Sequence, residues 1–296
     1  SSLRQAISKC HSIDPDRIIL GSGSDEILLF AALASCQDGD EILHANHGFE
    51  MYSIVSKIVG AVPKKIIEDS NFNIKIDSLL DQISDATKVI YIASPNNPTG
   101  TYLTRNQILD LLKKIPKNII VVIDGAYVEY VEDINYDKGF SLLNEFDNLI
   151  LTRTFSKTYG LAALRIGWCY TSEKVANIIN KIKPPFNTTA ISQSIAIKAL
   201  EDKEYIDDIV KLNFDIKRWF ESQLKLLNIK VRSTEGNFSL IESSNETIDK
   251  IYNHLINDGI ITRRLNSYDL SNFLRISIGT KEEMEEAIKS LQSLNE

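Results

Sequence analysis

The chain has 296 residues, enough for one large or two modest domains, and 43% are hydrophobic, which supplies a full core and excludes an intrinsically disordered protein. Its 33 lysines and arginines stand against 40 aspartates and glutamates, a net charge of −7 with a pI near 5.3. An acidic chain without a basic block argues against nucleic acid or an anionic membrane as the main partner, but leaves room for a small anion held by a few converging arginines.

In chain order, Ile18-Ile19-Leu20 predicts a strand, followed by a Gly/Ser turn and a helix through Ala34. Lys88 to Ala93 predicts a buried strand, then a Pro/Asn loop and a helical stretch through Lys113. Ile119 to Ile123 predicts a further strand ending at Asp124, and Leu149 to Thr152 another, ahead of the segment Arg153 to Gly167. Strands alternating with helices imply an α/β fold with a mostly parallel sheet and ligand sites at strand C-termini. From about Glu173 to Leu227 the pattern turns helical, and Glu204 to Leu226 is periodic enough for one connecting helix. Lys230-Val231-Arg232, Phe238 to Ile241, a helix near Thr247 to Asp258, Ile260-Ile261, Leu274 to Ile278 and a terminal helix then predict a small α+β unit. The expected division is a large domain over 1–210 and a smaller C-terminal domain over 211–296, with no internal repeat.

Four polar clusters follow these strands. In Thr154-Phe155-Ser156-Lys157, with Arg165 eight residues on, a lysine flanked by hydroxyls can be held in a cleft as an amine nucleophile, while Thr154, Ser156 and Arg165 converge on a phosphate. Taken alone, Lys157 reads as a solvated surface lysine, and an acyl-transfer Thr-x-x-Lys pair lacks its partner motifs. Ser94-Pro95-Asn96-Asn97-Pro98-Thr99-Gly100 is a rigid loop with free asparagine side chains. Asp124, closing a buried strand before Gly125-Ala126-Tyr127, needs a cation to offset its burial or else caps the next turn. Gly21-Ser22-Gly23-Ser24-Asp25-Glu26 opens a helix and suits phosphate, yet it is neither a dinucleotide fingerprint nor a P-loop.

In this order and spacing the clusters resemble the fold type I pyridoxal-phosphate aminotransferases. Within them the chain is similar to the histidinol-phosphate aminotransferase family, through GSGSDE, HGFEMY, SPNNPTG, DGAY, TRTFSKTYGLAALRIG and FLRISIG. The resemblance implies that Lys157 holds pyridoxal 5'-phosphate as a Schiff base and later moves the substrate proton. It implies that Asp124 pairs with the ring nitrogen, that Asn97 and Tyr127 bond the ring oxygen, and that Phe49 stacks on the ring. Ser24, Asp25, Thr154, Ser156 and Arg165 are implied to hold the phosphate. Arg275 matches the substrate-carboxylate clamp, Arg263 a second arginine there, and Asn97 also faces substrate.

The implied reaction converts imidazole acetol phosphate and L-glutamate to histidinol phosphate and 2-oxoglutarate, in histidine biosynthesis, by a cytoplasmic homodimer. Aromatic amino acid aminotransferase and threonine-phosphate decarboxylase are the nearest rivals. A non-catalytic transcription regulator would need a DNA-binding head, which nothing here resembles. Two departures from the family are Gly125, where relatives carry an acidic residue, and Thr158, where a small residue is commoner. The chain is also expected to lack an N-terminal segment, and so to retain its cofactor less firmly, since it opens Ser1-Ser2-Leu3 without methionine. Three cysteines without CxxC spacing (Cys10, Cys36, Cys169) fit a reducing compartment. No apolar run approaches the ~20 residues of a membrane span, and no secretory signal is visible. The four histidines lack metal-ligand spacing, no metal is assigned, and His47 is expected to be structural.

Overall fold

The computed structural model describes residues 1–232 and 234–294. A seven-stranded sheet contains β1 (Ile18–Gly21), β2 (Glu41–Ala45), β3 (Val62–Ile66), β4 (Thr87–Ala93), β5 (Ile120–Asp124), β6 (Leu149–Thr154) and β7 (Gly167–Thr171). Its order is β1-β7-β6-β5-β4-β2-β3. Neighbours from β6 to β3 pair in parallel, and β7 alone runs against β6 and β1.

Strands β4 to β6 each carry a continuous apolar stretch (Val89 to Ala93, Ile120 to Ile123, Leu149 to Leu151) because both faces of the sheet are covered. Ile90, Ile92, Val121, Ile123, Leu149 and Leu151 enter one core, shared with α1 (Ser2–His11), α5 (Arg105–Lys114) and α7 (Ala190–Glu201). Their alternate neighbours Val89, Tyr91, Val122 and Ile150 enter the other, with α2 (Ser24–Ser35), α3 (Met51–Ile58) and α6 (Glu173–Ile182). The short α4 (Ile76–Leu80) packs beside α5.

Next, α8 (Lys203–Leu226) runs for 24 residues, about 36 Å at the helical rise. Only its C-terminal half, through Ile216, Phe220 and Leu224, enters a third core. That core lies between a four-stranded antiparallel sheet and α9 (Asn245–Asn257) and α10 (Lys281–Ser293). The sheet has the order β10-β11-β9-β8, from β8 (Lys230–Arg232), β9 (Phe238–Glu242), β10 (Arg263–Arg264) and β11 (Phe273–Ser277).

Ile260-Ile261 is not a strand, contrary to expectation. Ile260 closes α9, its N–H donating to Leu255 at 2.8 Å after Gly259 turns left-handed at φ 80°, and Ile261 is 88% exposed. The ladder begins instead at Arg263, opposite Arg275. Strands β2 and β3 had no reading in the sequence. In β3 the run Val62-Pro63-Lys64-Lys65-Ile66 carries a proline and two lysines, which suits the sheet edge where it lies. Among the described residues no helix is long and apolar enough to cross a membrane.

Candidate active site

The C-terminal ends of β4, β5 and β6 and the turn after β1 open on one cavity of about 130 Å3. Its wall contains Ser24, Asp25, Phe49, Asn97, Asp124, Tyr127, Thr154, Ser156, Lys157 and Arg165, so all ten residues expected at the cofactor come together. Tyr52, Ala93, Pro95 and Ala126 complete it.

Asp124 is the last residue of β5, set between Ala93 and Thr152 of the flanking strands and 4% exposed. Thr152 Oγ1 donates to its Oδ1 at 2.7 Å, and Tyr52 Oη to its Oδ2 at 2.9 Å. Burial pushes this carboxyl above its ordinary value, and the two hydroxyl donors pull against that shift. Among the described residues no cation stands within 4 Å of it. It is therefore a desolvated acceptor on the cavity wall that still lacks a positive partner.

Tyr52 was not expected at the site. It is 1% exposed and stacks on Tyr91 with centroids 4.9 Å apart, and the Tyr91 hydroxyl donates to the Leu28 carbonyl at 2.8 Å. The available signal was its position in the HGFEMY run, on the face of α3 that meets the sheet.

Lys157 follows β6 by three residues. Its neighbours Phe155 and Thr158 are buried, at 0% and 2%, while Gly160 N–H donates to the Lys157 carbonyl at 2.9 Å and closes the turn. These anchors hold the backbone while the amine stands 5.2 Å from the Tyr127 ring centroid. Among the described residues it makes no ion pair. Phe49 meets Tyr52 edge-on at 5.9 Å.

The far end of the cavity is built for an anion. No side chain caps α2, whose first residue follows Gly23 at φ 82°. A Cβ on Gly23 would stand 2.4 Å from Arg165 Nη2, so glycine lets the guanidinium close over the helix N-terminus. Gly167 serves the same approach, since a Cβ there would meet the Ser24 nitrogen at 2.5 Å. Arg165, left-handed at φ 47°, donates to the Ala162 carbonyl at 3.0 Å and pairs with Asp25 at 3.3 Å. Thr154 Oγ1 accepts from the Ser156 N–H at 3.1 Å. Leading helix amides, two hydroxyls and a guanidinium form a phosphate-type cradle.

Arg275 reaches across from β11, its Nη1 donating to Asn97 Oδ1 at 2.5 Å, with Nε buried and without a partner. It lies 5.1 Å from the Phe238 ring and is bonded to the cavity wall rather than part of it. Arg263 is not brought to the wall: half-exposed, it reaches Glu50 Oε2 at 3.4 Å. His47 bonds Glu68 at 2.8 Å, and its carbonyl accepts from Asn96 at 3.0 Å, joining two loops. Among the described residues no histidine, cysteine or carboxylate cluster has the arrangement of a metal site.

The family described as aminotransferase class I and II matches residues 1–291. The chain is 40% identical over 298 residues to the histidinol-phosphate aminotransferase of Zymomonas mobilis, covering 99% of this chain and 80% of that protein. It is 40% identical over 289 residues to the enzyme of the same name from Pelagibacter ubique, covering 96% and 79%. The crystal structure of histidinol-phosphate aminotransferase from Sinorhizobium meliloti, in complex with pyridoxal-5'-phosphate, has a TM-score of 0.93 and 23% identity, covering 99% of this chain and 80% of that one. At that identity the likeness speaks to fold.

Proposed function

Because the chain belongs to the aminotransferase class I and II family, we propose that it transfers the amino group of L-glutamate to imidazole acetol phosphate, giving 2-oxoglutarate and L-histidinol phosphate, with pyridoxal 5'-phosphate as cofactor. One observation carries this reading: an unpaired amine, a buried carboxylate held only by neutral donors, and an anion cradle share one cavity. That donor set fits the cofactor. Asp124 answers a ring N–H, and the α2 N-terminus with Arg165, Thr154 and Ser156 answers its phosphate.

When bound, pyridoxal phosphate supplies an aldehyde to receive the amino group and an electron-withdrawing ring. Lys157 would hold it, then use Nζ to take the proton from the glutamate α-carbon in one half-reaction and to deliver one to the α-carbon of the partner substrate in the other. Asp124 would keep the ring nitrogen protonated, with Tyr52 and Thr152 orienting the carboxylate. Asn97 and Tyr127 would bond the ring oxygen, and Phe49 would cover a ring face. Arg275 would fork the carboxylate of glutamate or the phosphate of the partner substrate, two anions that take turns at one site. Arg263 would add positive charge on leaving Glu50.

We place the protein in the cytoplasm as a homodimer with units 1–210 and 211–296. Three free cysteines support a reducing compartment. Phe186, 97% exposed, and Ile191, 69% exposed, support self-association. The third core, which takes in α8 only from Ile216, supports the division.

Absorbance titration with pyridoxal phosphate tests the chemistry. Wild type gives a visible band that bleaches with L-glutamate and returns with imidazole acetol phosphate, and Lys157→Ala gives none. Initial rates at varied concentrations of both substrates give parallel lines. Turnover of phenylalanine or threonine phosphate above that of histidinol phosphate would defeat the substrate assignment.

A further inference from the structure

Thr158 and Glu129 meet behind the cavity. Thr158 directly follows Lys157, is 2% exposed, and donates from Oγ1 to Glu129 Oε2 at 3.3 Å. Glu129 belongs to the short turn Val128–Tyr130, which continues from the strand end bearing Asp124 and Tyr127. The pair therefore crosses from the Lys157 turn after β6 to the turn after β5. Tyr130, 4% exposed, closes the same turn.

Among the described residues Thr158 is the sole side-chain hydrogen-bond partner of Glu129, and no ion pair within 4 Å involves it. The nearest guanidinium is occupied elsewhere. Arg153, 5% exposed, donates to the Thr152 carbonyl at 2.6 Å and to the Lys138 carbonyl. It lies so close under Gly125 that a Cβ there would stand 2.2 Å from Nη1. The two family departures, Gly125 and Thr158, thus border one cluster: one admits the guanidinium, the other supplies the hydroxyl.

We propose that Glu129, acting through Thr158, is a positioning residue that fixes the Lys157 turn against the strand end carrying Asp124 and Tyr127. This rests on the reading of Lys157 as the reacting amine. Placing an amine to within a fraction of an ångström governs both its reaction and cofactor retention. A tether between two buried backbone turns supplies that constraint without touching the cofactor.

The test uses Thr158→Val, which keeps the shape and loses the donor, with Thr158→Ser as the conservative rescue. Two readouts are taken: the Kd for pyridoxal phosphate, and, in cofactor-free protein, trace acylation of Lys157 relative to exposed Lys225 by peptide mass spectrometry. Thr158→Val weakens cofactor binding about tenfold and changes relative Lys157 labelling at least about threefold, the scale of one lost buried hydrogen bond. Thr158→Ser stays within about twofold of wild type. Glu129→Gln keeps a carbonyl acceptor and does likewise, whereas Glu129→Leu loses as much as Thr158→Val, and the double variant is no worse than either. Thr158→Val matching wild type, Thr158→Ser failing as Thr158→Val does, or additive losses in the double variant would overturn the positioning role. If wild type fails to bind the cofactor, or Lys157→Ala binds it as tightly, the reading of the cavity falls too. If wild type binds, Lys157→Ala does not, and Thr158→Val is normal, positioning alone falls.

Discussion

At the scale of single residues, Asp124 sets the character of the cavity. Its carboxyl is raised above the ordinary value of 3.8 chiefly by desolvation. An acid raised in the folded state gives stability that is whole below its ordinary value and lost as pH climbs through the folded one. Above that ordinary value the cofactor-free protein therefore carries a cost for burying this acid, which a cationic ring N–H would offset. Asp124→Asn is expected to raise the Tm of cofactor-free protein at pH 8 by ~3–6 °C and to lower transamination at least about a hundredfold. Differential scanning calorimetry and turnover assays on the same preparations read the two effects. A variant less stable than wild type would refute the assigned cost.

At the scale of elements, two helices make separate predictions. The start of α2 depends on Gly23, whose φ of 82° and contact with Arg165 both exclude a side chain. Gly23→Ala should strain the backbone by ~1–3 kcal/mol, since φ 82° with ψ 168° is a region essentially reserved to glycine, and displace the guanidinium, weakening pyridoxal phosphate binding about tenfold by absorbance titration. Gly39→Ala is the control, with a similar φ of 83° and nothing within 4 Å of its Cβ. It should lose stability alone. The end of α1 carries His11, set 5.3 Å from both the Phe140 and Trp168 rings. Burial, then Arg153, Lys138 and Lys203, hold its value down from 6.5 to about 4. A depressed histidine gives stability that is whole above 6.5 and lost as pH falls toward about 4. Amide exchange in α1 should therefore accelerate over that interval, ahead of the sheet, and His11→Phe should suppress the acceleration.

At the scale of the whole molecule, the small sheet touches the cavity wall through Arg275 and Asn97, residues 178 positions apart. Among the described residues Arg275 Nε has no partner, which leaves the guanidinium able to fork an anion while Nη1 keeps the neutral Asn97 amide. Arg275→Lys cannot do both. It should raise KM for L-glutamate and for histidinol phosphate together, each by ~10–100-fold, with pyridoxal phosphate affinity nearly unchanged. Steady-state kinetics at fixed cofactor check this, and a rise for only one substrate would separate their anion sites.

What the sequence determined by itself was local. Apolar runs such as Lys88 to Ala93 and Ile119 to Ile123 name their own strands, because hydrophobic periodicity is carried by neighbours in the chain. The turns after the strands, read through the family resemblance, named ten of the residues that line the cavity; Tyr52, Ala93, Pro95 and Ala126 complete it. The strand expected at Ile260-Ile261 failed because a helix C-terminus and a short apolar pair look alike until pairing partners are known. Likewise β3 was illegible, because its proline and lysines make sense only at a sheet edge. Tertiary structure alone decided which distant groups share a contact. It brought Tyr52 onto Asp124, turned Arg263 toward Glu50, and joined Thr158 to Glu129. Each depends on how separate strands register and how helices pack across them, interactions between residues 29 to 213 positions apart that no local pattern encodes.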